Sequence, residues 1–171
     1  MSLPSNITLI GMSGSGKSTL GKMLSEYLAY TFVDSDDLIE QGEKKLQEII
    51  DTEGEDALLE KERAVLLSLG GEGNIFSPGG SCVFSWDAME HLQKISLIVF
   101  IDVGFDALEK RFSYLDAGKR GIIGMKGRTF RQLYDLRHPL YLKYADVTIC
   151  LDHHSIEQSF LILLDRIGQK K

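Results

Sequence analysis

The chain has 171 residues, 43% of them apolar and 26% charged, with 19 Lys and Arg against 25 Asp and Glu for a net charge of −6. A chain of this size and composition is expected to bury its own core as a single domain over residues 1–171, without a metal or disulfide staple. The acidic balance excludes a sequence-independent nucleic-acid binder, which needs a dense cationic face.

The longest apolar runs, such as Ile95 to Ile101, fall far short of the ~20 residues a membrane span needs. The first residues lack the basic-then-apolar pattern of a signal peptide. Cys82 and Cys150 match no zinc spacing and read as small buried hydrophobes. The expectation is a soluble, cytoplasmic, monomeric protein with neither nucleic-acid nor membrane partners.

Taken in chain order, short apolar runs alternate with longer amphipathic ones, which is the pattern of a parallel sheet covered by helices. A strand over Asn6–Ile10 leads into Gly11-Met12-Ser13-Gly14-Ser15-Gly16-Lys17-Ser18, which fits G-x-x-x-x-G-K-[ST]. A helix over Lys17–Leu28 follows, with Leu20, Leu24 and Leu28 on one face. Strand, glycine-rich loop and helix together make a phosphate cradle. Consecutive backbone N–H groups curl around phosphates, helped by the positive helix N-terminus. Gly14, Ser15, Gly16, Lys17, Ser18 and Thr19 are the candidate nucleotide contacts. Lys17 is expected to reach the β- and γ-phosphates of ATP, and the Ser18 hydroxyl to ligate Mg²⁺.

A second strand, Thr31–Val33, ends at Asp34-Ser35-Asp36-Asp37. Carboxylates there lie where open α/β sheets place their ligands. A helix cap at Asp34 or Ser35 is the other use for such residues. Next come a helix over Glu53–Leu69 and a third strand, Asn74–Ser77, followed by Pro78-Gly79-Gly80-Ser81. Adjacent glycines let a ligand approach the backbone closely, and they also suit a plain turn. Further helices are expected over Ser85–Leu92, Phe105–Tyr114, Arg128–Tyr144 and Ser155–Ile167, with strands over Ser96–Asp102 and Asp146–Cys150. Between Asp116 and Gly127, glycines alternate with Lys119, Arg120 and Lys126. The segment reads as a basic lid over an anionic ligand, at residues 114–128, or as an ordinary surface loop. His153-His154 has no third ligand at metal spacing and reads as surface. Trp86 and Phe84 fit either the rim beyond Gly80 or the core.

The cradle, Phe32-Val33-Asp34-Ser35-Asp36, Gly54-Glu55 with Glu62, Gly79-Gly80 and Arg137-His138-Pro139-Leu140-Tyr141 together resemble the shikimate kinase family over nearly the whole chain. The resemblance implies an α/β, three-layer P-loop kinase fold, with a five-stranded parallel sheet in the order 2-3-1-4-5 and a mobile lid. It implies ATP- and Mg²⁺-dependent phosphorylation of a hydroxyl on a small acid, with shikimate the leading acceptor. By resemblance, Asp34 is the Mg²⁺-side and catalytic aspartate, and Asp36 binds shikimate hydroxyls. Gly79 and Gly80 lie beside the ring, and Arg137 binds the carboxylate. Arg120 is the lid arginine that reaches ATP phosphates, and Arg111 lies near the adenine.

The sequence also departs from the family. Leu59 stands where the family places a second arginine on the shikimate carboxylate, and Arg63, one turn on, is the candidate replacement. Ser81 replaces the third glycine, and the lid reads Arg120-Gly121-Ile122-Ile123 rather than Arg-Pro-Leu-Leu. Two alternatives stay open: a kinase of the same fold for another acceptor such as gluconate, and a non-catalytic nucleotide-binding protein.

Overall fold

In the computed structural model, which describes residues 3–42, 44–114 and 122–169, the strands are β1 (Asn6–Ile10), β2 (Thr31–Asp34), β3 (Asn74–Ser77), β4 (Leu97–Asp102) and β5 (Val147–Cys150). They form one parallel sheet in the order β2-β3-β1-β4-β5. Every residue of the central strand β1 is buried, as a parallel strand covered on both faces requires. The expected α/β class and strand order are thus present.

Eight α-helices flank or extend the sheet among the described residues: α1 (Lys17–Leu28), α2 (Ser35–Glu40), α3 (Leu46–Glu53), α4 (Glu55–Ser68), α5 (Trp86–Ile95), α6 (Phe105–Tyr114), α7 (Phe130–Tyr144) and α8 (Ile156–Gln169). Of these, β1, β3, α1 and α6 have the bounds expected from the sequence. The helix expected over Glu53–Leu69 is instead two. Gly54, at φ 96° and ψ 167°, is not helical and separates α3 from α4. Its carbonyl and the flanking acidic residues start a new helix. None of the described helices is long and apolar enough to cross a membrane.

The main core packs β1, β3 and β4 against Leu20, Leu24, Leu92 and Leu163 from the helices. A second, smaller cluster joins Ile39 of α2, Ile49 of α3 and Leu58 of α4 to Ile123. Cys82 is buried as expected, but Cys150 is exposed, because it faces outward at the end of the edge strand β5. Trp86 is also exposed, at 68%, so it belongs to neither the core nor the rim of the site. His153 and His154 are exposed.

Asn6, buried at the start of β1, ties three elements together. Its amide donates to the carbonyls of Gly71 (2.8 Å) and Ile95 (3.0 Å), and its Oδ1 accepts from the Asn74 backbone (2.9 Å). Asn6→Ala leaves these groups without partners and is expected to cost about 2–3 kcal/mol. Urea unfolding should show a lower midpoint at unchanged slope.

Candidate active site

Loop after loop at the carboxyl ends of β1, β2 and β3 opens onto one cavity of about 870 Å³. On one side lies the cradle between β1 and α1. Gly11 (φ 147°) sits so close to β4 that a Cβ there would be 2.7 Å from the Ile101 carbonyl oxygen. Gly16, at φ 99° and ψ 9°, takes the left-handed turn that aims the first amides of α1 into the cavity. Lys17 is buried, and its ammonium donates to the carbonyls of Gly11 (2.9 Å) and Met12 (3.1 Å). Burial lowers its pKa, against the pull of Cys82, Asp36 and Asp34.

At the end of β2, Asp34 does two things at once. Its Oδ1 accepts from the Asp36 backbone N–H (3.0 Å) and caps α2, so the capping reading of the sequence is realised. Its Oδ2 accepts from the Ser18 hydroxyl (3.1 Å). A carboxylate beside a hydroxyl at a phosphate cradle is a hard-oxygen set that suits Mg²⁺. Burial raises the Asp34 pKa, against hydrogen bonds from Asp36 and Ser18. Asp36 is pushed up to about 6, first by burial and then by the Asp34 charge.

The opposite wall comes from α4, the loop after β3 and α7. Leu58 and Glu62, one turn apart on α4, both line the cavity. The Ser81 hydroxyl donates to Glu62 Oε2 at 2.5 Å. Glu62 Oε1 is buried with no hydrogen-bond partner among the described residues. Burial pushes the Glu62 carboxyl up to about 7. Arg137 is only 1% exposed, donates to the Ile123 carbonyl (2.7 Å) and lies over the Phe84 ring. Gly79 and Gly80 let the Glu62 and Arg137 side chains come close to the backbone. A Cβ on Gly79 would collide with Glu62 Oε1, and one on Gly80 would lie 2.9 Å from Arg137 Nη1.

Most of the residues singled out from the sequence therefore converge. Gly14, Gly16, Lys17, Ser18, Thr19, Asp34, Asp36, Gly79, Gly80, Arg111 and Arg137 all line the cavity. Arg111 also donates to the Gly14 carbonyl at 3.1 Å. Ser15 is buried under the loop, its N–H bonded to the Met12 carbonyl (3.1 Å). Arg120 lies outside the described residues, as does much of the expected lid. The expected replacement for the missing arginine is not realised. Arg63 is paired with Asp87 and Glu60, so its guanidinium is held away from the cavity. Leu59 packs on the second cluster, not into the cavity. The partnership of Ser81 with Glu62 was not foreseen. The substitution of a family glycine by serine was its only trace in the sequence.

The arrangement has an anion cradle with one lysine at one end. At the other, carboxylates able to accept hydroxyls face a buried guanidinium able to bind a carboxylate. A family model described as shikimate kinase matches residues 13–168. The chain is 32% identical over 168 residues to the shikimate kinase of Pasteurella multocida, covering 95% of this chain and 94% of that one. It is 37% identical over 148 residues to that of Clostridium botulinum (strain ATCC 19397 / Type A), covering 85% and 86%. The structure of a shikimate kinase from Acinetobacter baumannii in complex with shikimate superimposes with a TM-score of 0.81 at 27% identity, covering 99% of this chain and 97% of that one. A gluconokinase from Sinorhizobium meliloti, at 16% identity and a TM-score of 0.62 over 99% of this chain and 94% of that one, shares the fold alone.

The raised Glu62 pKa fixes a sign for stability. Between its ordinary value of 4.5 and about 7, the folded chain binds more protons at this group than the unfolded chain. Stability therefore falls as pH rises through that window, and Asp36 adds to the fall between 3.8 and about 6. The free protein is expected to melt at a higher temperature at about pH 5 than at about pH 8, and Glu62→Gln to flatten much of that slope. Thermal melts across this range check both.

Proposed function

The chain belongs to the shikimate kinase family, and from that membership we propose that its cavity transfers the γ-phosphoryl group of ATP to a ring hydroxyl of shikimate, a step of aromatic amino acid biosynthesis. The observation that carries this reading is the convergence of a phosphate cradle at Lys17 and Ser18 with an acid-binding wall at Arg137 in one cavity.

In this reading the amides of Gly14 to Thr19 hold the nucleotide phosphates, and Lys17 supplies positive charge where the transferring group becomes most anionic. Its two carbonyl partners, Gly11 and Met12, fix the ammonium in place before any substrate arrives. Ser18 and Asp34, already 3.1 Å apart, are the residues that would hold Mg²⁺. The ion, when bound, neutralises phosphate charge. Asp36, lining the cavity beside Asp34, accepts the acceptor hydroxyls, and Asp34 keeps the catalytic role that the family resemblance gives it. Arg137 takes the acceptor carboxylate as a charge-assisted pair, while Gly79 and Gly80 let the ring lie against the backbone. Arg111, beside the cradle, serves the nucleotide base, and Arg120 is assigned to the ATP phosphates on family resemblance. Strands and helices on both sides of the cavity belong to one five-stranded sheet and its covering helices, which supports a single-domain enzyme. Dependence on ATP supports a cytoplasmic location.

An acceptor screen that follows ATP consumption tests the reading, with shikimate turned over and gluconate left unused as the expected result. Lys17→Ala is expected to lower kcat by about 10²–10³-fold. Arg137→Ala should raise KM for shikimate by about tenfold or more, as expected for a lost charge-assisted bond of about 1.5–3 kcal/mol. Steady-state kinetics on folded variants measure both effects. Equal turnover of gluconate would point to the other acceptor class.

A further inference from the structure

The pocket wall built by Glu62 has a feature that the family resemblance does not supply. Its carboxyl is buried, yet the two oxygens are treated differently. Oε2 is held by the Ser81 hydroxyl at 2.5 Å, whereas Oε1 has no partner among the described residues. No cation on its own helix supplies one. Leu59 is apolar and turned to the second cluster, and the guanidinium of Arg63 is taken by Asp87 and Glu60. The unpartnered oxygen lies at the floor of the pocket. Glu62 Oε1 and Asp36 Oδ1 both fall within 3.1 Å of the point that a Cβ on Gly79 would occupy. Both residues line the cavity, with Arg137 on the same wall.

We propose that Ser81 is a positioning residue for the acceptor: its hydroxyl fixes the Glu62 carboxyl so that Oε1 meets a ring hydroxyl of the substrate next to the one taken by Asp36. This rests on the reading of the chain as a shikimate kinase. Asp36 and Glu62 then form a pair of oxygens flanking Gly79, matched to neighbouring hydroxyls on a ring, while Arg137 binds the acid group. The chemical class selected is a cyclic carboxylic acid with adjacent hydroxyls. A buried carboxyl oxygen without a partner disfavours the empty pocket, and a hydroxyl donor from the acceptor relieves that cost. Ser81 contributes by restricting rotation of the carboxyl, so the oxygen is already aimed when the ring enters.

The test compares wild type, Ser81→Gly, Ser81→Ala and Glu62→Gln, each shown to be folded by its thermal melt, on shikimate and on analogues that each lack one ring hydroxyl. Ser81→Gly places the residue usual in the family at that position, so it guards against a variant that fails to fold. Both Ser81 variants are expected to raise KM for shikimate about tenfold while KM for ATP stays within about twofold. On one deoxy analogue the penalty should vanish, because the contact made by Oε1 is already missing. The same analogue should be insensitive to Glu62→Gln. A shikimate KM unchanged by the Ser81 substitutions overturns the proposal. So does an equal penalty on every analogue, or an equal rise in KM for ATP, since each marks a purely structural serine. If wild type itself fails to use shikimate, the parent reading falls and this one with it, an outcome told apart by the silence of the unmutated enzyme.

Discussion

A guanidinium taken almost wholly out of water depends on the groups packed around it, and the contacts made to Arg137 organise the acceptor half of the molecule, although its Nε has no partner among the described residues. Its Nη2 is met by the Ile123 carbonyl and its flat face by the Phe84 ring. Its Nη1 lies so close to Gly80 that a side chain there would push it aside. The same helix sends Tyr141 to the Gly80 carbonyl at 2.6 Å, so α7 grips the loop after β3 through two successive turns. Helix α7, the loop after β3 and the segment at Ile123 are thereby fixed around one charge.

The segment beginning at Ile122 is held from a second direction. Glu55, in the first turn of α4, accepts from the backbone N–H groups of Gly124 (3.1 Å) and Lys126 (3.3 Å). Ile123 meanwhile enters the small cluster with Ile39, Ile49 and Leu58. Polar bonds from Glu55 and Arg137 thus fix its backbone, while apolar burial fixes its side chain. Helices α2, α3 and α4 gain a core of their own through this residue, although it lies far from them in sequence.

How much of this the sequence disclosed depended on the range of the interaction. The sheet was legible because β1, β3 and β4 are short apolar runs, and a parallel strand buried on both faces has little else to be. The cradle was legible because its chemistry is local: eight consecutive residues from Gly11 to Ser18 contain it. Gly54 hid the break between α3 and α4, since a single glycine in a Leu- and Glu-rich stretch is compatible with a continuous helix. Arg63 misled for the opposite reason. Helical spacing put it near the Leu59 face, but Asp87, on α5, is a partner that no local pattern reveals. The pairing of Ser81 with Glu62 likewise spans two elements and exists only once both are packed.

The two glycines at the pocket floor also set where such an enzyme can drift. A methyl group at either position displaces the end of the Glu62 or Arg137 side chain, so a change there disturbs the acid-binding wall. The helical wall is different: Leu58 and Ile123 face the same cavity with plain hydrocarbon and take part in no hydrogen-bonded network through their side chains. A lineage adapting this scaffold to a bulkier or slimmer acid has room there, on the apolar side, where a change of size breaks no side-chain hydrogen bond. Leu59 and Ser81 show that the polar side shifts as well, so acceptor choice in this scaffold can be retuned by aliphatic size without touching the charges that remain.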